Sequence, residues 1–400
     1  MSITIILGDP HLGKGVSIGK AGIGSSLNSR VIDQINLLDW VLDKAIENMA
    51  GQIIISGDVF EDINPHSYLI SLFISWLTKC KDHNIHVHIV MGNHDTLRSG
   101  NFYYSTLDIV SEANIDGVHI YKHLDTIFID NFAYTMLPFR DRKSFFSESN
   151  ADAMLSLKNN LSYELLGIPN THKKVLVGHF AIEGSIHIGD EIDDMINELY
   201  CPVSMFYGYD YVWMGHVHKP QVMSKGSKKE PYVAHVGSMD SSNFLEAGQE
   251  KHIVIIDPNS NNIFRHEIIP TRQLKKIIIN IPADTYDTTE YVIGELNKLS
   301  DLDKSIIKLE VSLSSQDLKP IDKKKISQLL STKGVHNISA FSETKKSLLL
   351  RKEDGDSIDN SFDVQSAIKK FGELNIKENM RDKYMEIALE VFEDYKMAVK

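Results

Sequence analysis

The chain reads as an α/β protein in which short buried strands alternate with longer amphipathic helices. Two observations carry that class. Apolar runs at 3–7, 52–55, 87–90, 175–177 and 211–214 are bounded by glycine and polar loops, as buried strands are. Between them, 29–48, 66–81 and 151–166 repeat apolar residues at helical spacing. Strand–helix alternation implies a sheet with at least partly parallel strands, whose functional groups collect in the loops at the carboxyl ends of the strands.

Beyond residue 215 the pattern changes to β-hairpins at 231–237, then 251–257 and 262–268 around the turn Pro258-Asn259-Ser260-Asn261. A second unit follows the connection Pro270-Thr271-Arg272. It reads as strand 276–281, helix 288–299, strand 305–311, helix 322–331 and strand-like 335–341 and 347–350. Residues 352–361 lack an apolar anchor and read as a solvated linker. Over 362–400 two amphipathic helical patterns appear, one marked by Phe362, Ala367, Ile368 and Phe371. The other is marked by Met380, Tyr384, Ile387, Ala388, Val391 and Tyr395. The expected division is therefore 1–270, 271–351, a linker at 352–361 and a helical tail at 362–400.

With 400 residues the chain exceeds one ordinary core. Cys80 and Cys201 are the only cysteines, too few for a disulfide framework and without a CxxC pair for structural zinc. No charged leader precedes the first strand, and the longest apolar stretch, near 69–77, is too short to cross a bilayer. A cytoplasmic protein with no membrane segment is the expectation. The net charge of −12 argues against tight nucleic-acid binding by this chain alone, though not against DNA as a substrate.

The chemistry lies in five short segments. Gly8-Asp9-Pro10-His11, Ser56-Gly57-Asp58-Val59, Gly92-Asn93-His94-Asp95, Gly178-His179 and Gly215-His216-Val217-His218 each follow one of the five apolar runs. Together they supply Asp9, His11, Asp58, Asn93, His179, His216 and His218, enough donors for two adjacent divalent cations. Asp58 can bridge the pair. Nitrogen and oxygen donors without thiolate suit manganese, iron(II) or zinc, and the set is too nitrogen-rich for calcium. Two such ions, roughly 3.5–4 Å apart, clamp a phosphoryl group for in-line attack by water. His94 is placed to protonate a leaving oxygen, with Asp95 orienting its ring; a further metal ligand or a structural histidine are the other roles open to it. Any one Gly-Asp or Gly-His dipeptide is uninformative, and the order of all five is what carries weight.

Other residues read more plainly. His86 and His88 alternate on a strand and, with His83, suit structural roles. The glycine-rich loop 13–24 does not match the spacing of a phosphate-binding P-loop. Lys219, Lys225, Lys228 and Lys229 form one local basic group, and Arg140, Arg142 and Lys143 another; both suit phosphate contact.

The order D-x-H, G-D, G-N-H-D, G-H, G-H-x-H resembles the calcineurin-like metallophosphoesterases. Within them, Asp9–Gly13, Gly57–Phe60, Pro138-Phe139-Arg140 and the stretch 236–251 look like the SbcD-type nucleases of DNA double-strand-break repair. That resemblance implies a β-sandwich flanked by helices, a small α/β capping domain that contacts DNA, and C-terminal helices. It assigns Asp9, His11, Asp58 and His218 to one metal and Asp58, Asn93, His179 and His216 to the other, both usually Mn²⁺, with His94 as the catalytic histidine. Glu61 stands near the substrate phosphate where many relatives have His, and Pro10 where many have an aromatic. The resemblance also implies 3′-to-5′ exonuclease action on duplex ends and endonuclease action on single strands or hairpins. Its expected partners are DNA, an SMC-like ATPase of the SbcC type bound by the C-terminal helices, and a second copy of the chain through helices over 66–81 and 101–113. A stand-alone phosphodiesterase or phosphatase acting on a small nucleotide or phosphoprotein is the alternative.

Overall fold

A computed structural model describes residues 2–345, apart from 23–26, 100–101, 148, 189–198 and 316–317. The strands of the first part are β1 (Ile3–Leu7), β2 (Ala50–Ile55), β3 (His86–Val90), β4 (Thr96–Ser99), β5 (Phe102–Ser105), β6 (Val118–Tyr121), β7 (Asp125–Ile129) and β8 (Phe132–Leu137). There follow β9 (Lys173–Gly178), β10 (Tyr211–Met214), β11 (Gln221–Lys225), β12 (Tyr232–His235), β13 (His252–Ile256) and β14 (Phe264–Ile268). The last are β15 (Leu274–Ile281), β16 (Ile306–Leu313) and β17 (Asn337–Lys345). The helices are α1 (Ser29–Glu47), α2 (Ser67–Asp82), α3 (Leu107–Glu112), α4 (Asn150–Leu166), α5 (Thr288–Asn297) and α6 (Lys323–Thr332).

Two six-stranded sheets, β14-β13-β1-β2-β3-β6 and β11-β12-β10-β9-β8-β7, pack face to face. Alternation along each strand explains the layering. Ile6, Ile54 and Val90 meet Tyr134, Val175, Val177 and Trp213 between the sheets. Their neighbours Ile5, Leu7, Ile53 and Ile55 point the other way, onto Val31, Leu38 and Val41 of α1 and Phe73 and Trp76 of α2. On the far side, Leu176, Val212 and Met214 pack on Ala153, Leu157 and Leu161 of α4. The central strands are thus buried on both faces, which is why they read as unbroken apolar runs. This mixed α/β sandwich flanked by helices is the expected fold class.

Strands β1-β2-β3-β6 are mutually parallel, and so are β12-β10-β9-β8. The carboxyl ends of β1, β2 and β3 therefore share one edge of their sheet, and those of β9 and β10 one edge of theirs. The five chemical segments leave from these ends.

Three expectations need correction. The helix over 101–113 is half strand: β5 pairs antiparallel with β4, and α3 starts only at Leu107. Ser105 Oγ accepts from the Leu107 amide in the turn that leads into the helix. The hairpin expected at 231–237 is present as β12 antiparallel to β11, but β12 also pairs parallel with β10, and its hairpin partner β11 is an unexpected edge strand. The polar Gln221, Ser224 and Lys225 disguise β11, as edge strands often are disguised. The strand–helix alternation also omits β6, β7 and β8, which the structure adds between α3 and α4.

Strands β15, β16 and β17 form a separate parallel sheet with α5 and α6 as crossovers and its own core around Ile281, Val292, Leu309 and Leu330. The expected strand at 335–341 runs on to Lys345, whereas the one at 347–350, the linker at 352–361 and the helices over 362–400 lie outside the described residues. Arg272 fastens this sheet to α1 through Asp33, with its Nε 2.7 Å from Oδ2, and Asn337 Nδ2 donates to the Ile18 carbonyl at 2.8 Å.

Candidate metal centre

The loops after β1 and β2 are zipped together before any side chain is considered. The amides of His11 and Leu12 donate to the carbonyls of Asp58 and Val59, each at 2.9 Å. Asp95 completes this frame. Its carboxylate accepts from the amides of Val59 and Gly92, both at 3.0 Å, and from Phe60 at 3.5 Å. Asp95 thus ties the β2 and β3 loops together and does not orient the His94 ring; that ring donates from Nδ1 to the Glu61 carbonyl at 2.6 Å. A short acid beside three unsatisfied loop amides finds better partners there than across the loop.

Three donor residues sit in the left-handed region, His11 at φ 43°, Asp58 at 48° and His216 at 79°. Such a conformation costs a non-glycine residue about 1 kcal/mol or more and gathers at functional sites. The segments' glycines make room for the acids. A Cβ on Gly92 would lie 2.0 Å from Asp58 Oδ1, and one on Gly215 would lie 2.3 Å from Asp9 Oδ1.

Donor atoms converge in three groups, each within 4.8 Å: Asp9, His11 and His218; His11, Asp58 and His94; Asp58, His179 and His216. Asp58 belongs to two of them. Nε2 of His11 faces Nε2 of His218 at 2.9 Å and lies 3.5 Å from Asp58 Oδ2. His179 donates from Nδ1 to the Ser56 carbonyl at 2.8 Å, which turns Nε2 toward Asp58 Oδ2 at 3.1 Å and Asn93 Oδ1 at 2.8 Å. His216 Nδ1 lies 3.0 Å from the same amide oxygen, while its backbone amide donates to Asp9 Oδ2 at 2.9 Å. All seven expected donors therefore meet in one place, and all but half-buried Asn93 are buried.

The electrostatics match a cationic occupant. Asp9 is fully buried, and its Oδ1 has no hydrogen-bond partner among the described residues. Burial pushes its carboxyl up to about 7, with His179 pulling the other way and Asp58 adding to the rise. Burial also raises Asp58, but His179, His94 and His11 outweigh it and hold that carboxyl well below its ordinary range. His218 is pushed well down by burial and by His11. Facing ring nitrogens and an orphaned buried carboxylate oxygen are groups that a divalent cation would satisfy. The donor set fits two such ions.

Further residues support these donors. The Glu61 carboxylate lies 2.8 Å from His11 Nδ1 and 3.0 Å from Lys14 Nζ. Gln34, buried on α1, donates to the carbonyls of His11 and Lys14, each at 3.1 Å, and accepts from the Gly13 amide. The Phe139 ring stands 6.1 Å from that of His216 and 6.3 Å from that of His179. Lys251, fully buried, donates to the His218 carbonyl at 2.8 Å, to Ser238 Oγ and to Glu246. Lys14 and Gln34 carry no signal in the sequence, since nothing in a helix pattern separates a solvated glutamine from a buried one. Phe139 and Lys251 fall in the stretches that carry the family resemblance.

Of the expected phosphate contacts, Lys219 directly follows His218. Arg140 directs its guanidinium to the carbonyls of Phe139, at 2.7 Å, and Lys122. Lys225 is elsewhere. It ends β11 opposite Tyr232, at the other end of the strands from His216 and His218. The expectation that Lys225 serves this centre fails because β11 carries it away from the centre, and the loop with Lys228 and Lys229 begins only at that far end.

Among the described residues no helix is long and apolar enough to cross a membrane. Two curated relatives, the SbcD components of the SbcCD nucleases of Escherichia coli K12 and of E. coli O157:H7, are each 22% identical over 251 residues. Those matches take in 57% of this chain and 60% of each relative, so the chain spans under two thirds of their length. Among solved structures, a dimetal phosphatase from Danio rerio aligns over 67% of this chain and 98% of its own, at 10% identity and a TM-score of 0.37. The family model for calcineurin-like phosphoesterases matches residues 3–220, from β1 through the last histidine of the centre. By that match, over more than half its length, the chain belongs to the calcineurin-like phosphoesterase family.

Proposed function

We propose that this chain is the nuclease component of an SbcC–SbcD-like complex and hydrolyses DNA phosphodiester bonds at a two-metal centre. The observation that carries the chemistry is the convergence of six Asp and His donors, with Asp58 common to two groups, and of the Asn93 amide oxygen beside His179 and His216. The DNA substrate draws on the similarity to SbcD. In this reading Asp9, His11, Asp58 and His218 hold one ion, and Asp58, Asn93, His179 and His216 hold the other, with Mn²⁺ the metal of choice. Divalent cations bound there supply Lewis-acid charge for the phosphoryl oxygens and lower the pKa of water.

The chain's own residues do the rest. His94 is tied at Nδ1 to the Glu61 carbonyl, so proton transfer to the leaving oxygen falls to Nε2. Burial lowers its pKa, but the carboxylates of Asp58 and Glu61 outweigh that and leave it raised, which keeps a proton available. Glu61 and Asp95 hold ring and loops in place. In this reading Lys219, next to His218, and Arg140, next to Phe139, contact the substrate phosphates. The division at 270/271, a DNA-contacting role for 271–351, ATPase binding by 362–400 and homodimer formation belong to the same proposal.

The net charge of −12 favours a second reading, a stand-alone phosphodiesterase or phosphatase. One experiment separates them. Purified protein with Mn²⁺ is given duplex DNA labelled at either end and, in parallel, bis-p-nitrophenyl phosphate, with Asp58→Asn as control. Metal-dependent shortening of the DNA, lost in the control, is expected. Turnover of the small ester with DNA left intact would favour the second reading, and failure on both substrates would sink the two-metal assignment.

A further inference from the structure

At the amino-terminal ends of β10 and β12 lies a pocket of 780 Å³, within the range of ligand sites. Its wall is aromatic. The half-buried rings of Tyr211 and Tyr232 pack against Phe264, with centroids 5.7 and 4.7 Å away. Its rim is basic, formed by Lys225, Lys228 and Lys229, all exposed. None of these three ammonium groups has an ion-pair partner among the described residues. The two acids at the pocket are otherwise engaged: Asp210 accepts from Lys173 and from the Lys174 amide, and Glu230 accepts from the Tyr207 hydroxyl. In a chain of net charge −12, three lysines against two acids around one aromatic wall form a local positive exception.

The rim is also pre-ordered. It is the tip of the β11–β12 hairpin, where Ser227 donates its amide to the Glu230 carbonyl at 2.8 Å and its hydroxyl accepts from the amides of Lys229 and Glu230. A ligand there does not have to order the loop. Register separates the pocket from the metal centre. Lys225, Tyr232 and Tyr211 share one row across the sheet, whereas Gln221, His235 and Met214 share the row nearest His216, about 10 Å further along at ~3.3 Å per residue.

We propose that this pocket binds single-stranded nucleic acid, with phosphates on the three lysines and a base against the ring wall. Aromatic faces accept any base, and cations beside them track the backbone, so such a site would be tolerant of sequence. The inference does not rest on DNA hydrolysis.

The test therefore removes metal. Full-length protein in EDTA at low salt is titrated into a 5′-fluorescent twelve-nucleotide oligothymidylate, and anisotropy is read. Saturable binding is expected. Replacing all three lysines (Lys225→Ser, Lys228→Ser, Lys229→Ser) should weaken it at least tenfold and reduce the slope of log affinity against log salt by about 2, at ~0.7 per phosphate contact on a single strand. Tyr232→Leu should weaken it about fivefold or more without changing that slope. Thermal midpoints and Mn²⁺ content serve as fold controls. If Tyr232→Leu fails to fold, Tyr211→Leu reads the same wall. No saturable binding by the native chain, or native affinity in either variant, would overturn the proposal, and neither result bears on phosphodiester cleavage.

Discussion

Glu61 holds His11 from behind: its carboxylate lies 2.8 Å from Nδ1 of the ring, whose Nε2 faces His218. The contact with His11 and the charge of Lys14 pull the Glu61 carboxyl down to about 2, even though burial pushes it up. A carboxylate behind a ligating imidazole fixes its orientation and raises its basicity. Removing it with Glu61→Ala should weaken Mn²⁺ binding by roughly 10–100-fold. Glu61→Gln, which keeps an acceptor beside Nδ1, should lose less. Equilibrium dialysis with atomic absorption measures both, and native affinity in the alanine variant would remove Glu61 from the centre.

Gly92 protects Asp58 by having no side chain. A Cβ would stand 2.0 Å from Oδ1 and 2.4 Å from the amide of Asp58, too close for any relaxation short of moving the acid. Gly92→Ala should therefore lower the metal content and cut the turnover of bis-p-nitrophenyl phosphate by about 100-fold or more, as misplacement by 1 Å does. A folded variant with native turnover would show that Asp58 has slack the geometry denies.

The donors were legible in the sequence because each follows a strand buried on both faces, and such strands announce themselves as apolar runs. His11, Asp58 and His216 could be named on that basis, but not their left-handed backbones, which for His11 and Asp58 accompany the zipped loops and for His216 an amide bond to Asp9. Partners escaped for a related reason. Whether Asp95 serves a ring or three amides depends on loop paths that no local pattern encodes. β11 escaped because an edge strand need only be apolar on one face, and its polar Gln221, Ser224 and Lys225 mimic a loop. Lys225 was misplaced with it.

Lys251 is a fully buried ammonium whose charge is met by Glu246 at 2.7 Å, and both stand behind the His218 backbone. Lys251→Met would leave Glu246 buried and unpaired, a change that costs about 3–5 kcal/mol. Combining it with Glu246→Gln should restore part of that, since the stranded charge is then gone. Urea denaturation of the two variants and the native chain measures the difference. A loss under ~1 kcal/mol in the single variant would mean that water reaches the site or that Glu246 takes up a proton.

His88 makes stability depend on pH. Its ring is held between the Tyr121 hydroxyl, 2.9 Å from Nδ1, and Gln52 Oε1, 2.8 Å from Nε2, with His119 stacked 5.0 Å away. Burial, aided by His119 and His86, pushes its pKa from 6.5 down to about 3. The unfolded chain takes up a proton here near 6.5 and the folded chain does not. Below that pH the unfolded state binds more protons, so stability falls as pH falls, by up to about tenfold in the folding constant per pH unit, until about pH 3. Above 6.5 the effect vanishes. His88→Gln keeps donor and acceptor atoms but cannot titrate, so its urea midpoint should fall less steeply between pH 6.5 and 4. His252, pushed down to about 4 by burial and by His266 and Lys251, leaves a slope of the same sign in the variant. Parallel profiles for variant and native chain would mean that the folded protein protonates His88 as readily as the unfolded one does.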